Sequence, residues 1–146
     1  MMVAIGSDHA GFEVKEKLKK LIGELGHELT DMGTDSEESC DYPDYARAVA
    51  ESVARGESGC GILVCGTGIG MSMAANKVRG IRAAKVCSEY ESQMSRQHND
   101  ANVLCVGARS LDYETQIAPI TQAWFATDFE GGRHQRRVDK IMAVEA

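Results

Sequence analysis

The stretch from residue 61 to residue 77 constrains the fold of this chain more than any other. Gly-Ile-Leu-Val at 61–64 runs into Cys65, glycines follow at 66, 68 and 70, and good helix formers come next. A continuous apolar run is typical of a buried parallel strand, and the start of a helix offers free N–H groups and a positive dipole end. Glycines let the backbone approach a phosphate or a developing oxyanion. The stretch therefore predicts a thiol, at the end of a buried strand, beside a loop that can hold an anion.

This glycine-rich loop matches none of three common phosphate-loop fingerprints. The dinucleotide fingerprint needs a third glycine where Met71 or Met73 stands, and the mononucleotide P-loop needs Gly-Lys-Ser/Thr after four intervening residues. A phosphatase loop needs an arginine at the position of Met71. Taken alone, the loop is equally typical of a functional site and of a tight structural turn.

Strand and helix patterns alternate along the rest of the chain. Apolar runs predict strands at 3–7, 28–32, 61–65, 81–86 and 103–107. Helical spacing and punctuation predict helices at 14–25, 43–53, 71–77, 88–97, 113–126 and 133–144. This alternation predicts one α/β domain over residues 1–146, with a five-stranded parallel sheet and helices on both faces.

The same patterns predict the environment of individual residues. Pro43 suits the first position of the second helix, and Pro119 predicts a kink or a later start of the helix at 113–126. The lysines of the first helix are expected on a solvated face, and three cysteines in or beside apolar runs are expected to be small core residues. The lysines are Lys15, Lys17, Lys19 and Lys20, and the cysteines are Cys60, Cys87 and Cys105.

Composition excludes several classes of protein. The formal net charge of -6 argues against a nucleic-acid or anionic-membrane partner. The N-terminus has neither the basic region nor the apolar run of a signal peptide, and no later window approaches a membrane span. Five cysteines without a Cys-x-x-Cys pair fit reduced thiols better than a disulfide framework or a zinc site. We therefore expect a cytoplasmic protein.

Polar residues gather at the carboxyl ends of the predicted strands, where ligands bind in sheets of this kind. Asp8 and His9 follow the first strand, residues 65–70 end the third, and Arg109 follows the fifth. Asp8 suits either a site or the N-cap of the next helix. His9 cannot cap in the same way, so it favours a site.

Two groups near helix ends have open interpretations. His98 lies at the end of the fourth helix and is either a core histidine or, with Asn99 beside it, a functional group. Basic residues at the start of the last helix meet the positive end of its dipole, which is unfavourable without an anion. The basic residues are Arg133, Arg136, Arg137 and Lys140. They are explained either by a phosphate that arginine side chains bind with two hydrogen bonds each, or by a solvated helix end or a salt bridge to another chain.

Six short motifs, in order along the whole chain, resemble one family. They are Gly-Ser-Asp-His-Ala-Gly-Phe at 6–12, Asp-Tyr-Pro at 41–43, Cys-Gly-Thr-Gly-Ile-Gly at 65–70, Ala-Ala-Asn-Lys at 74–77, Ser-Arg-Gln-His-Asn-Asp at 95–100 and Glu-Gly-Gly-Arg-His at 130–134. Together they resemble the B-type ribose-5-phosphate isomerases, a family that also includes isomerases of galactose 6-phosphate and allose 6-phosphate.

The resemblance implies a Rossmann-like three-layer sandwich that acts as an aldose-ketose isomerase. Such an enzyme passes through a cis-enediolate and needs no cofactor and no metal. The resemblance also implies a homodimer, or a pair of dimers, with active sites at the interface and the C-terminal helix packed on the partner chain. Ribose 5-phosphate is the expected substrate.

The resemblance further assigns roles to individual residues. Cys65 matches the base that moves a proton between C1 and C2, whereas some members use a glutamate where this chain has Met71. His98 matches the group that opens the sugar ring, and Asp8 a group that assists at the ring oxygens. The substrate contacts implied are the loop N–H groups of Gly66, Thr67, Gly68, Ile69 and Gly70 on the enediolate, with Thr67 assisting; His9, Arg133 and Arg137 on the phosphate; and Tyr42, Asn99 and Arg109 on the sugar or phosphate.

Three other functions stay open at this stage. One is an isomerase of a hexose 6-phosphate, because spacing does not reveal pocket depth. Another is a nucleotide-binding or flavodoxin-like module, against which the missing third glycine counts. The last is a non-catalytic sugar-phosphate sensor, which would have no need for Cys65, Thr67 and His98 together.

Overall fold

Strands and helices alternate through the computed structural model, which describes residues 1–145. The strands are β1 (Met2–Ser7), β2 (Glu28–Asp31), β3 (Cys60–Cys65), β4 (Ala83–Lys85) and β5 (Val103–Gly107). The helices are α1 (Phe12–Glu24), α2 (Tyr42–Ala54), α3 (Ile69–Ala75), α4 (Glu89–Gln97), α5 (Ala118–Ala126) and α6 (Arg133–Ala143), and a π-helical turn at Tyr113–Ile117 precedes α5. No helix within the described residues is long and apolar enough to cross a bilayer.

The five strands form one parallel sheet in the order β2-β1-β3-β5-β4. In this register Ser7 lies opposite Val64, and Cys65 lies opposite Gly107. The carboxyl ends of β1, β3 and β5 therefore lie side by side. The expected parallel sheet is confirmed, and it brings the ends of three strands to one edge.

Each face of the sheet carries its own hydrophobic core. On one face α1 and α5 pack over Ile62 and Val64, and on the other α2 and α3 pack over Leu63. Side chains alternate along a strand, so Cys65 belongs to the second face, with α2 and α3. The three-layer arrangement is thus confirmed, and the alternation within β3 directs the thiol towards the helix that follows the glycine loop.

Several element boundaries differ from the sequence prediction, and three of them have an identifiable local cause. The fourth strand is shorter than predicted, because the backbone N–H of Arg82 donates to the side-chain oxygen of Asn102 at 2.8 Å. Asp41 is the N-cap of α2, so Pro43 occupies the second helical position rather than the first. Pro119 follows the π-helical turn and lies in the first turn of α5, which confirms a later start of the α-helix.

Lys15 does not lie on a solvated face, contrary to the prediction. Its side chain is fully buried, and Nζ donates to both carboxylate oxygens of Asp31 at 2.7 Å. Lys19 adds a third hydrogen bond to the same carboxylate at 2.8 Å. Partial burial alone raises the pKa of Asp31, but the hydrogen bonds from the two lysines and from the Gly33 N–H hold that pKa below its ordinary value. The charge pair explains how a lysine is accommodated in the interior.

The prediction for Cys87 is also wrong, because this residue is exposed. The chain turns here from β4 towards α4, and the Cys87 N–H donates to Glu91 Oε1 at 2.7 Å. Cys60 and Cys105 are buried as predicted. Burial raises the pKa of the Cys60 thiol to about 11, and it also raises the pKa of Cys105. Both of these interior thiols are therefore held in the neutral form.

Candidate active site

Cys65 ends β3, and its thiol lies against the glycine loop. Its Sγ accepts the backbone N–H of Gly68 at 3.1 Å, and the residue is only 5% exposed. Gly68 has a φ of +82°, and a Cβ there would lie 3.0 Å from the Val106 carbonyl carbon. Both the positive φ and the lack of space for a side chain require glycine at this position. The N–H groups of Thr67 and Gly70 donate to no atom of residues 1–145, so the thiol adjoins backbone donors that are available to a ligand.

A pocket of about 400 Å³ opens in front of this thiol. Asp8 lies in its wall and is 6% exposed, and its Oδ1 accepts the backbone N–H of Gly11 at 3.1 Å. Gly11 itself is the N-cap residue of α1, so the Asp8 side chain secures the turn before the helix and does not cap it. The pocket lining consists of Asp8, Tyr42, Cys65, Gly66, Thr67, Ile69, Gly70 and Met73.

Two further side chains frame the loop. The Tyr42 ring packs directly on Gly70, where a Cβ would overlap the ring. Arg109 follows β5, and its backbone N–H donates to the Gly66 carbonyl at 2.9 Å. Its Cδ lies 3.7 Å from where a Cβ on Gly66 would stand. The Tyr42 ring and the Arg109 side chain therefore both border glycines of the loop.

His9 follows Asp8 and is oriented by a residue that the sequence analysis did not consider functional. The backbone N–H of Cys40 donates to His9 Nδ1 at 3.2 Å. Because Nδ1 accepts a hydrogen bond, the neutral ring carries its proton on Nε2. That N–H can donate to an anion. Nothing in the sequence around Cys40 indicates this contact, which joins residues 31 positions apart.

A second group of candidate residues lies at the amino edge of the sheet. His98 is the C-cap of α4, and its ring stacks on that of His134 with centroids 4.2 Å apart and an angle of 12° between the planes. His134 lies in the first turn of α6 and is 5% exposed. Burial, followed by the neighbouring His98 and Arg133, lowers the pKa of His134 against an opposing effect of Glu130. The buried ring of the stack is thus held neutral.

The remaining candidates surround this stack. Arg133 and Arg137 are exposed on α6 and form no ion pair with any other residue in the range 1–145. Asn99 is also exposed, and its carbonyl accepts the Arg82 Nε–H at 3.0 Å. The guanidinium groups of both arginines are therefore available to bind an anion. They do not lie beside the glycine loop of their own chain.

The length of β3 separates the two groups. At the amino edge the Gly61 N–H donates to the Asn102 carbonyl, four residues beyond His98, and Cys65 ends the strand at the carboxyl edge. Since β3 begins at Cys60, five residue steps of about 3.3 Å to Cys65 place the two edges about 17 Å apart. The structure therefore brings together Asp8, His9, Tyr42, Gly66, Thr67, Gly68, Ile69, Gly70, Cys65 and Arg109, and it places His98, Asn99, Arg133 and Arg137 at the other end of the same chain.

Gly107 is another residue that the sequence analysis missed. It ends β5 opposite Cys65, and a Cβ there would lie 2.6–2.7 Å from the backbone of Thr67. The glycine loop therefore rests directly on this strand end. A glycine inside a strand pattern is the available sequence signal, since it often marks the close approach of another backbone.

The fold and the carboxyl-edge pocket define a doubly wound α/β enzyme with a thiol beside backbone donors at its central strands. A family model described as Ribose/Galactose Isomerase matches residues 3–141. The chain belongs to this family, and it is an isomerase. The family identified from the six motifs is thereby confirmed.

Individual relatives are similar over nearly their whole length. Ribose-5-phosphate isomerase B of Escherichia coli (strain K12) is 52% identical over 144 residues, which cover 98% of this chain and 95% of that protein. Among solved structures, ribose-5-phosphate isomerase B of Clostridium thermocellum has a TM-score of 0.97 and 46% identity, covering 99% of this chain and 97% of that chain. The enzyme of Mycoplasma genitalium with bound ribulose-5-phosphate has a TM-score of 0.93 and 40% identity, covering 99% and 95%.

Proposed function

We propose that this chain interconverts ribose 5-phosphate and ribulose 5-phosphate. The observation that carries the proposal is the Cys65 thiol, which accepts the Gly68 N–H at 3.1 Å in a pocket shared with Asp8. A base next to backbone donors is what proton transfer through an enediolate needs. The pentose is supported by the names of the relatives and by the ribulose-5-phosphate bound to the Mycoplasma genitalium enzyme.

In the proposed chemistry Cys65 moves one proton between two carbons. Its thiolate takes the proton from C2 of the open-chain aldose, and the C–H electron pair forms the double bond of a cis-enediolate. A proton passes from O2 to O1, and the thiol then returns its proton to C1, which leaves a ketone at C2. The N–H groups of Thr67 and Gly70 stabilise the negative oxygen, and one such donor is worth about 3 kcal/mol of the barrier.

The other residues open the sugar ring and hold the phosphate. His98 moves the proton between the ring oxygen and the hydroxyl at C1, and Asp8 assists at these oxygens. The phosphate is bound by the Nε2–H of His9 and by Arg133 and Arg137. Binding energy from this remote group orients the reacting carbons at Cys65.

The separation of the two groups supports a homodimer with shared sites. Because His98 and the arginines lie at the amino edge, about 17 Å from the carboxyl edge that carries Cys65, we infer that a second copy supplies them. Exposed apolar side chains at both edges support this arrangement, with Ile69 45% and Met73 65% exposed beside the pocket and Ile141 46% and Val144 84% exposed at the end of α6. A two-fold dimer of this kind contains two equal sites.

A coupled assay of the purified protein tests the proposal. Ribose 5-phosphate, allose 6-phosphate and galactose 6-phosphate are compared, each before and after alkylation with iodoacetamide. We expect the pentose to react fastest and alkylation to abolish turnover. Faster turnover of a hexose would keep the thiol mechanism and replace the substrate, whereas no turnover of any of the three would contradict the proposal and favour a sensor.

A further inference from the structure

Three metal-ligating side chains lie together at the amino edge, outside the carboxyl-edge pocket. One ligand atom from each of His98, Glu130 and His134 lies within 4.8 Å of the other two. The Nε2 of His134 and Oε2 of Glu130 are 3.4 Å apart. Zinc bonds of about 2.0–2.1 Å at tetrahedral angles place neighbouring ligand atoms about 3.4 Å apart. Two of the three side chains therefore already have the spacing of zinc ligands.

His134 gives an independent indication that this cluster takes a ligand. Its side chain is buried, yet its Nε2 has no hydrogen-bond partner among residues 1–145. The approach of Glu130 at 3.4 Å does not provide one, although it places a carboxylate beside the ring. A buried polar atom without a partner has lost its hydrogen bonds to water without replacement, which is a free-energy cost to the folded state. A cation bound at Nε2 would remove this cost and use the adjacent carboxylate.

We propose that His98, Glu130 and His134 bind one Zn²⁺ ion per chain, with water at the fourth position. Two imidazoles and a carboxylate suit zinc, and three protein ligands with an open fourth position are a common zinc arrangement. The two rings are stacked almost parallel, so His98 must turn to direct a nitrogen at the ion. His98 is half-buried at the end of α4, and turning its ring would separate the stacked pair.

The proposed zinc ion acts as an inhibitor rather than a cofactor. It occupies the nitrogen lone pair that His98 uses to open the sugar ring. Ribose 5-phosphate is predominantly cyclic, whereas ribulose 5-phosphate cannot close a furanose ring because its C5 oxygen carries the phosphate. Zinc should therefore slow the turnover of ribose 5-phosphate more than that of ribulose 5-phosphate. This consequence rests on the proposed function, but the binding of the metal does not.

Cobalt and zinc titrations of the purified full-length protein test the site. Co²⁺ reports its ligands by absorption, because thiolate ligands add a charge-transfer band in the near ultraviolet that imidazole and carboxylate ligands lack. We expect one Co²⁺ per chain with a tetrahedral spectrum, no thiolate band, and displacement by Zn²⁺. Glu130→Gln should weaken binding at least about tenfold, the lower end of what even outer-shell changes cost at metal sites.

Matched variants keep the test independent of folding. Glu130 and Glu37 are both exposed, so Glu130→Gln and Glu37→Gln should fold alike while only the first loses metal affinity. Equal affinity in these two variants, or a thiolate band accounting for all bound cobalt, would overturn the site. Zinc binding at the cluster without slower turnover of ribose 5-phosphate would overturn the inhibitory role. Absence of any isomerase activity before zinc is added would instead refute the proposed function and leave the binding result intact.

Discussion

Two inactive variants of this isomerase should restore each other's activity when they share a dimer. Cys65→Ala removes the proposed base, and His98→Asn removes the proposed ring-opening group while keeping a polar side chain of moderate size. The two residues lie at opposite edges of the sheet, which the length of β3 separates by about 17 Å. Under the proposed function both residues act on one sugar, so each site would take Cys65 from one copy and His98 from the other.

The size of the recovery follows from the two-fold symmetry. In a mixed dimer one site receives the intact Cys65 of the His98→Asn chain and the intact His98 of the Cys65→Ala chain. The other site carries both substitutions and is inactive. A purified mixed dimer should thus have about half the wild-type activity, and a random equal mixture about a quarter, because half of its dimers are mixed.

The assay uses chains with two different affinity tags, coexpressed and purified on both tags in turn. Ribose 5-phosphate turnover is then measured for the mixed dimer and for each parent variant. Coexpression of two differently tagged Cys65→Ala chains provides the control, and it should stay inactive. A doubly purified mixed dimer with no more activity than its parents would refute the shared site and require Cys65 and His98 to act within one chain.

Three further predictions test the site and the fold. Cys65→Ala should fold normally, retain phosphate-ligand binding and lose about a hundred- to ten-thousand-fold in kcat; near-normal turnover would exclude the thiol as base. Arg137→Ala should raise KM about ten- to a hundredfold, as expected for a lost charge-assisted hydrogen bond, and an unchanged KM would remove it from the phosphate site. Asp31→Asn leaves the buried Lys15 with only the more distant Glu16 carboxylate, at 3.6 Å, and should lower the free energy of unfolding by about 3 kcal/mol near neutral pH. The folded-state pKa of Asp31 is depressed, so its contribution is complete above the ordinary value of 3.8 and is lost as the pH falls through the lower folded value. Urea unfolding of wild type and variant should therefore converge in acid, and a difference independent of pH would contradict the ion-pair explanation.

The sheet could be predicted from the sequence because its central strands are buried between two layers of helices. Parallel strands covered by helices on both faces read as continuous apolar runs, and β5 was predicted to the residue at Val103–Gly107. The fourth strand was predicted too long for a reason that no local pattern contains. The Asn102 side chain accepts a hydrogen bond from the backbone N–H of Arg82, which lies 20 residues earlier.

The candidate site was predictable in part for the same reason. Cys65 and the glycines of its loop are consecutive, so the strand, the turn and the thiol are specified by local chemistry. His9 follows a strand end that the parallel topology brings to the same edge. The hydrogen bond from the Cys40 N–H that orients His9 joins residues 31 positions apart, and no local sequence pattern indicates it.

The amino-acid sequence by itself determined the alternation of elements, the parallel sheet and the chemistry at the carboxyl edge. These follow from periodicity and from residues close together in the chain. Tertiary structure alone decided that Lys15 is buried on Asp31, that His98 stacks on His134, and that His98 lies a strand's length from Cys65. Periodicity reports which face of an element is buried, whereas the partner met there depends on how the chain folds back over distances that no local pattern records.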